Sequence, residues 1–111
     1  MYLGDIVEAA DALQAYVAGL TLDEFVGNDV LRRAVLQRLT EIGEAASRLS
    51  PKLKASTPDV PWVDIVGFRH IAVHAYFAVD WRIVWFAATR NAPELAERVG
   101  NLLDRADPEP E

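Results

Sequence analysis

At 111 residues, 51% of them hydrophobic, the chain has room for one compact domain around one core but not for two. It has no cysteine, which excludes disulfides, thiolate metal sites and a cysteine nucleophile; its net charge of −6 argues against a protein that coats nucleic acid nonspecifically, because such binding neutralises many phosphates with Lys and Arg. No run approaches the roughly 18 to 20 consecutive apolar residues that cross a bilayer, and the first twenty residues carry Asp5, Glu8 and Asp11 with no Lys or Arg, so neither a membrane span nor a signal peptide is expected and a cytoplasmic location fits.

Leu3, Ile6, Ala10, Leu13, Val17 and Leu20 recur in steps of three and four, the stripe of a first amphipathic helix. Gly19 and Thr21 break and restart the chain, and Leu22 to Val26 suit a short turn before Gly27. Asn28 is placed to cap a long second helix whose stripe is Leu31, Val35, Leu39, Ile42, Ala46 and Leu49, with Ser50 and Pro51 ending it. Charge is uneven along these segments. Residues 1–27 hold five acids and no base, while residues 28–54 hold six bases and three acids, so any positive field belongs to the second long helix.

Ser50 to Val60 reads as a polar connection, and Pro61 suits the first position of a third helix running from about Trp62 to about His74. Asp80 is placed to cap a fourth helix, whose stripe of Trp81, Val84, Trp85, Ala88, Ala92, Leu95, Val99 and Leu102 stays in phase past Pro93. Pro93 predicts either one kinked helix or two meeting there. Residues 1–106 are therefore expected to form one all-α, antiparallel bundle of four to five helices, and residues 107–111 a disordered acidic tail.

The third helix is apolar nearly all round, which predicts either a central position or a face covered by a second subunit. Its polar residues, Asp64, Arg69, His70 and His74, are accordingly conspicuous. A buried guanidinium needs a partner, so Arg69 either pairs with an acid such as Glu41, Glu44, Asp64 or Asp80 or opens onto a cleft. Arg69 and His74 stand five residues apart, about 140° round an ideal helix, and converge only if the helix unwinds or a symmetric copy brings a second pair across an interface. His70 and His74 have the i, i+4 spacing of two metal ligands, but the chain offers no third His or Cys, so no metal site and no cofactor is expected.

The segment VPWVDIVGFRHIAVHAYFAVDWRIVW, residues 60–85, resembles the HepT group of toxins in the HEPN superfamily. The group's signature is an arginine, a polar residue, a short spacer, a histidine, any residue and a tyrosine, which fall here on Arg69, His70, His74 and Tyr76. Pro61, Trp62, Asp64, Ile65, Gly67, Asp80, Ile83 and Trp85 also resemble the group, as does Ile42-Gly43-Glu44-Ala45 in the second helix. Two positions depart from it: His70 stands where Asn is common, and Ala75 where Gly is.

The resemblance implies a HEPN-like bundle, a homodimer, and a metal-independent ribonuclease toxin of a type II or type VII toxin-antitoxin system. Arg69 and His74 would be catalytic and His70 auxiliary or RNA-contacting. The partner implied is an MntA-like nucleotidyltransferase antitoxin that attaches AMP to Tyr76. Such chemistry is reasonable, because RNA carries its own 2′-hydroxyl nucleophile and needs only proton transfer and charge stabilisation. The competing reading is an inactive helical module that forms a complex with a nucleotidyltransferase.

Overall fold

The structure, a computed structural model, describes residues 2–70 and 79–105. Within them the chain is all α, as its periodicity predicts: α1 (Tyr2–Val17), α2 (Leu22–Val26), α3 (Asp29–Ser47), α4 (Pro51–Ser56) and α5 (Trp62–Gly67), then a 3-10 turn (Phe68–His70), α6 (Trp81–Phe86), a π turn (Ala87–Asn91) and α7 (Ala92–Arg105). No helix among the described residues is long and apolar enough to cross a membrane.

The core is one cluster. Helix α1 contributes Leu3, Ile6, Ala9, Ala10, Leu13 and Val17, and packs against α3 and α7. Helix α3 contributes Val35, Leu36, Leu39, Ile42, Ala45 and Ala46 and also supports α5 and the 3-10 turn. The predicted stripe of α7 is buried at Ala92, Leu95, Val99 and Leu102. The period-3.6 signal was sufficient here because each of these helices buries only one face.

Short helices are fixed by caps and aromatic contacts rather than by length. Gly19 takes the left-handed conformation, φ 75°, which lets the chain turn out of α1. Thr21 and Glu24 then exchange backbone hydrogen bonds in a capping box, with Thr21 N–H donating to Glu24 Oε1 at 2.9 Å and Glu24 N–H to Thr21 Oγ1 at 3.1 Å. Phe25 of α2, 0% exposed, packs edge-on to Trp81 at 6.2 Å and tilted on Trp85 at 5.3 Å. Asn28 caps α3 by accepting from Leu31 N–H at 3.0 Å, as its position predicts.

Three expectations are corrected. The supposed connection after α3 contains α4, because Ser50 caps a new helix (it accepts from Leu53 N–H at 3.1 Å) and Pro51 occupies its first position. Ser-Pro ends one helix and starts the next with the same chemistry. The third helix does not keep α geometry from Trp62 towards His74: it ends at Gly67 and tightens into the 3-10 turn, with residues 71–78 outside the described residues. Pro61 precedes the helix instead of opening it.

Near Pro93 the chain stays helical. It widens into the π turn one turn earlier, where Ala92 N–H reaches back to Ala87 O, and the proline, which has no N–H, sits in the first turn of α7.

Candidate functional site

The start of α5 is pinned by a buried polar contact. Trp62 Nε1 donates to Thr57 Oγ1 at 2.8 Å, and the Thr57 hydroxyl donates in turn to Leu53 O at 3.0 Å. Trp62 and Ile65 face the core, whereas Val63 is 88% exposed, so the outer side of this apolar helix is uncovered in the single chain.

Arg69 lies in the 3-10 turn, half-buried, and His70 beside it is exposed. The Arg69 guanidinium donates from Nε to His70 Nε2 at 3.2 Å, which requires that nitrogen of the imidazole to be unprotonated. None of the acids considered as partners takes up Arg69. Glu41 pairs with Arg38 at 3.1 Å and Asp80 approaches Arg82 at 3.6 Å, and no carboxylate among the described residues forms an ion pair with Arg69. The alternative of a sealed ion pair is therefore not what the structure contains.

The main chain at Arg69 rests directly on α3. A Cβ built on the buried Gly43 would stand 2.5 Å from Arg69 N, 3.1 Å from Arg69 Cβ and 3.1 Å from Ile65 O. Gly43 was legible only as part of a resembling tetrapeptide. A glycine inside the buried stripe of a long helix is itself a signal of close backbone approach.

His74 and Tyr76, and with them the convergence of the Arg69 and His74 side chains, lie outside the described residues, as does the predicted tail at 107–111. Among the described residues no group of three or more His, Cys, Asp or Glu side chains is placed to hold a metal ion.

Helix α3 carries three bases, Arg32, Arg33 and Arg38, against three acids, Asp29, Glu41 and Glu44, and its bases are engaged locally. Arg32 and Arg33 both reach Asp29 at 3.0 Å, Arg32 also donates to Val26 O and lies over the Trp81 ring, and Arg38 joins Glu41 to the Tyr16 hydroxyl. The positive field expected of this helix is therefore corrected: its charges balance, and the basic excess of residues 28–54 lies beyond its end at Arg48, Lys52 and Lys54.

A groove of about 620 Å³ opens between α5 and the segment of α6 through α7. Its walls are mostly apolar, with Phe68, Ile83 and Phe86 beside Asp64, Asp80 and Arg82, and neither Arg69 nor His70 lines it. Ile83 is 66% and Phe86 52% exposed, which is unusual for large apolar side chains on one short helix.

The sequence matches the model of a family described as Ribonuclease HepT-like over residues 6–102. Among curated proteins it is similar to one named as a putative RNase from Caldanaerobacter subterraneus subsp. tengcongensis, 35% identical over 94% of this chain and 93% of that one. It is also similar to one so named from Methanocaldococcus jannaschii, 32% identical over 88% and 90% respectively. A third, named as a probable ribonuclease HepT from Thermococcus cleftensis, is 31% identical over 91% and 92%. No solved structure matches.

Proposed function

Because the chain belongs to the HepT-like ribonuclease family, we propose that it is a metal-independent endoribonuclease toxin that cuts RNA in a cleft between two copies of itself in the cytoplasm. The observation that supports this reading is Arg69, a half-buried residue whose guanidinium donates to His70 and forms no ion pair with a carboxylate among the described residues. A guanidinium not taken up by a described carboxylate keeps its planar fork of donors for an anion, and a phosphodiester is an anion that this fork fits in bidentate fashion.

In the reaction, one imidazole takes the proton of the ribose 2′-hydroxyl, whose oxygen attacks the adjacent phosphorus. Arg69 stabilises the added negative charge on the phosphoryl oxygens. A second imidazole donates a proton to the departing 5′-oxygen, leaving a 2′,3′-cyclic phosphate and a 5′-hydroxyl. His74 from each of two copies supplies both imidazoles, since an imidazole side chain can take up or give a proton near neutral pH. His70 serves as the auxiliary residue, orienting Arg69 through its Nε2. Purified chain incubated with RNA in excess chelator should yield fragments ending in 2′,3′-cyclic phosphate; intact RNA would reject the proposal.

The second copy is assigned to the groove lined by the exposed Ile83 and Phe86. Exposed aliphatic and aromatic groups flanked by Asp64, Asp80 and Arg82 have the apolar centre and charged rim of a self-complementary interface. Wild type should elute as a dimer and Ile83→Glu with Phe86→Glu as a folded monomer; an unchanged elution volume would place the interface elsewhere.

Control is assigned to an MntA-like nucleotidyltransferase antitoxin acting on Tyr76. The tyrosine oxygen attacks the α-phosphorus of ATP and pyrophosphate departs, leaving AMP on the toxin. Co-expression with such an enzyme should add the mass of AMP to wild type and not to Tyr76→Phe, by intact-mass measurement. The absence of an adduct on wild type would remove this part of the proposal.

A further inference from the structure

We infer that Gly43 is a positioning residue: by lacking a side chain it lets α3 touch the backbone of the 3-10 turn, and this contact sets where the Arg69 guanidinium stands. The inference rests on Arg69 acting on RNA as proposed above. Glycine is a poor helix former, yet one lies within the buried stripe of α3, between Ile42 and Ala45.

The geometry gives the reason. A methyl group at position 43 would meet Arg69 N at 2.5 Å, with Arg69 Cβ and Ile65 O both at 3.1 Å. Two of these three atoms are main chain, so no rotamer change can move them aside. Ordinary contact begins at 3.4 Å, so the turn or the helix would have to withdraw by about 1 Å. Gly4, also helical, has nothing within 4 Å of its imaginary Cβ, so the demand belongs to position 43 and not to helical glycines in general. A displacement of this size at a residue that contacts the reacting group typically costs about 100-fold in rate.

The experiment measures kcat and KM of the full-length chain on RNA for Gly43→Ala, Arg69→Ala, the double variant and the control Gly4→Ala, with folding checked by circular dichroism. Gly43→Ala should be folded and lose about 100-fold in kcat, with a smaller change in KM, while Gly4→Ala should match wild type. The double variant should be no worse than Arg69→Ala alone, because Gly43 acts through a group already removed. A Gly43→Ala chain with wild-type kcat, or a double variant in which the two losses multiply, overturns the inference. Wild-type cleavage by Arg69→Ala would instead bring down the ribonuclease reading and this inference with it, a result visible without any change at Gly43.

Should Gly43→Ala not fold, ¹⁵N relaxation of arginine Nε–H groups in the wild type decides. Arg69 should be ordered, unlike Arg82, whose side chain is 79% exposed. Equal mobility of the two overturns the inference.

Discussion

Arg69→Ala should reduce the rate of RNA cleavage by about 100- to 1,000-fold, the usual cost of removing one donor aimed at developing charge in a transition state. Because Arg69 is only half-buried and forms no ion pair with a described carboxylate, its loss should barely change the thermal midpoint. This separation of activity from stability is the informative part. Had Arg69 been locked to an acid, truncation would have left an uncompensated buried charge and cost several kcal/mol. Arg69→Lys should recover only a small share of the rate, since an ammonium keeps the charge but not the planar fork of donors. His74→Ala should act in the same direction, by about 100- to 10,000-fold for loss of a proton-transfer group. The measurement is single-turnover cleavage of a labelled RNA beside thermal unfolding of the same preparations. Cleavage by Arg69→Ala within a few-fold of wild type would exclude a catalytic arginine.

Phe25→Ala should destabilise the fold by about 3 to 5 kcal/mol, the largest effect expected of any single truncation in the short helices. The side chain is fully buried and is the only buried residue of α2, and its ring contacts both Trp81 and Trp85. Truncation removes the transfer term, leaves a cavity, and forfeits aromatic contacts worth about 0.5 to 1.5 kcal/mol each. Since domains of this size have about 5 to 15 kcal/mol in total, the variant should unfold at a far lower urea concentration. Tryptophan fluorescence should report the change directly, because two of the three tryptophans line the vacated space. Phe25→Leu should recover most of the loss. A cost below about 1 kcal/mol, of the kind usual for surface positions, would show that α2 is an ornament on the bundle.

The long amphipathic helices were readable from sequence because each buries one stripe and leaves the other face to water. Their caps were readable too, at Asn28 and Asp80, since those side chains satisfy orphan N–H groups by local geometry alone. What escaped was anything for which two outcomes share one local signal. Ser50-Pro51 ends α3 and begins α4 with the same two residues. The change to 3-10 geometry at Phe68 has no periodic mark in a segment that is apolar on every side. The widening at Ala87–Asn91 is one way of accommodating Pro93 among several, and sequence alone left a kink and a break equally open.

At the candidate site the balance was similar. The pattern singles out Arg69 and His70 as candidates, and among the described residues Arg69 forms no ion pair with an acid, which leaves the open-cleft alternative standing. Gly43 stands out in sequence only within the tetrapeptide that resembles the family, and its close contact does not, because the need for a missing side chain depends on what another segment brings against it. Tertiary contact of this kind leaves no trace in the periodicity of a single helix.

The main chain of Arg69 rests on a helix that is itself part of the core, so the stem from which the guanidinium rises is anchored as the bundle forms. Folding of one copy thus sets this support, and the proposed nuclease still needs a second copy to close its cleft, so dilution that separates the copies should silence it.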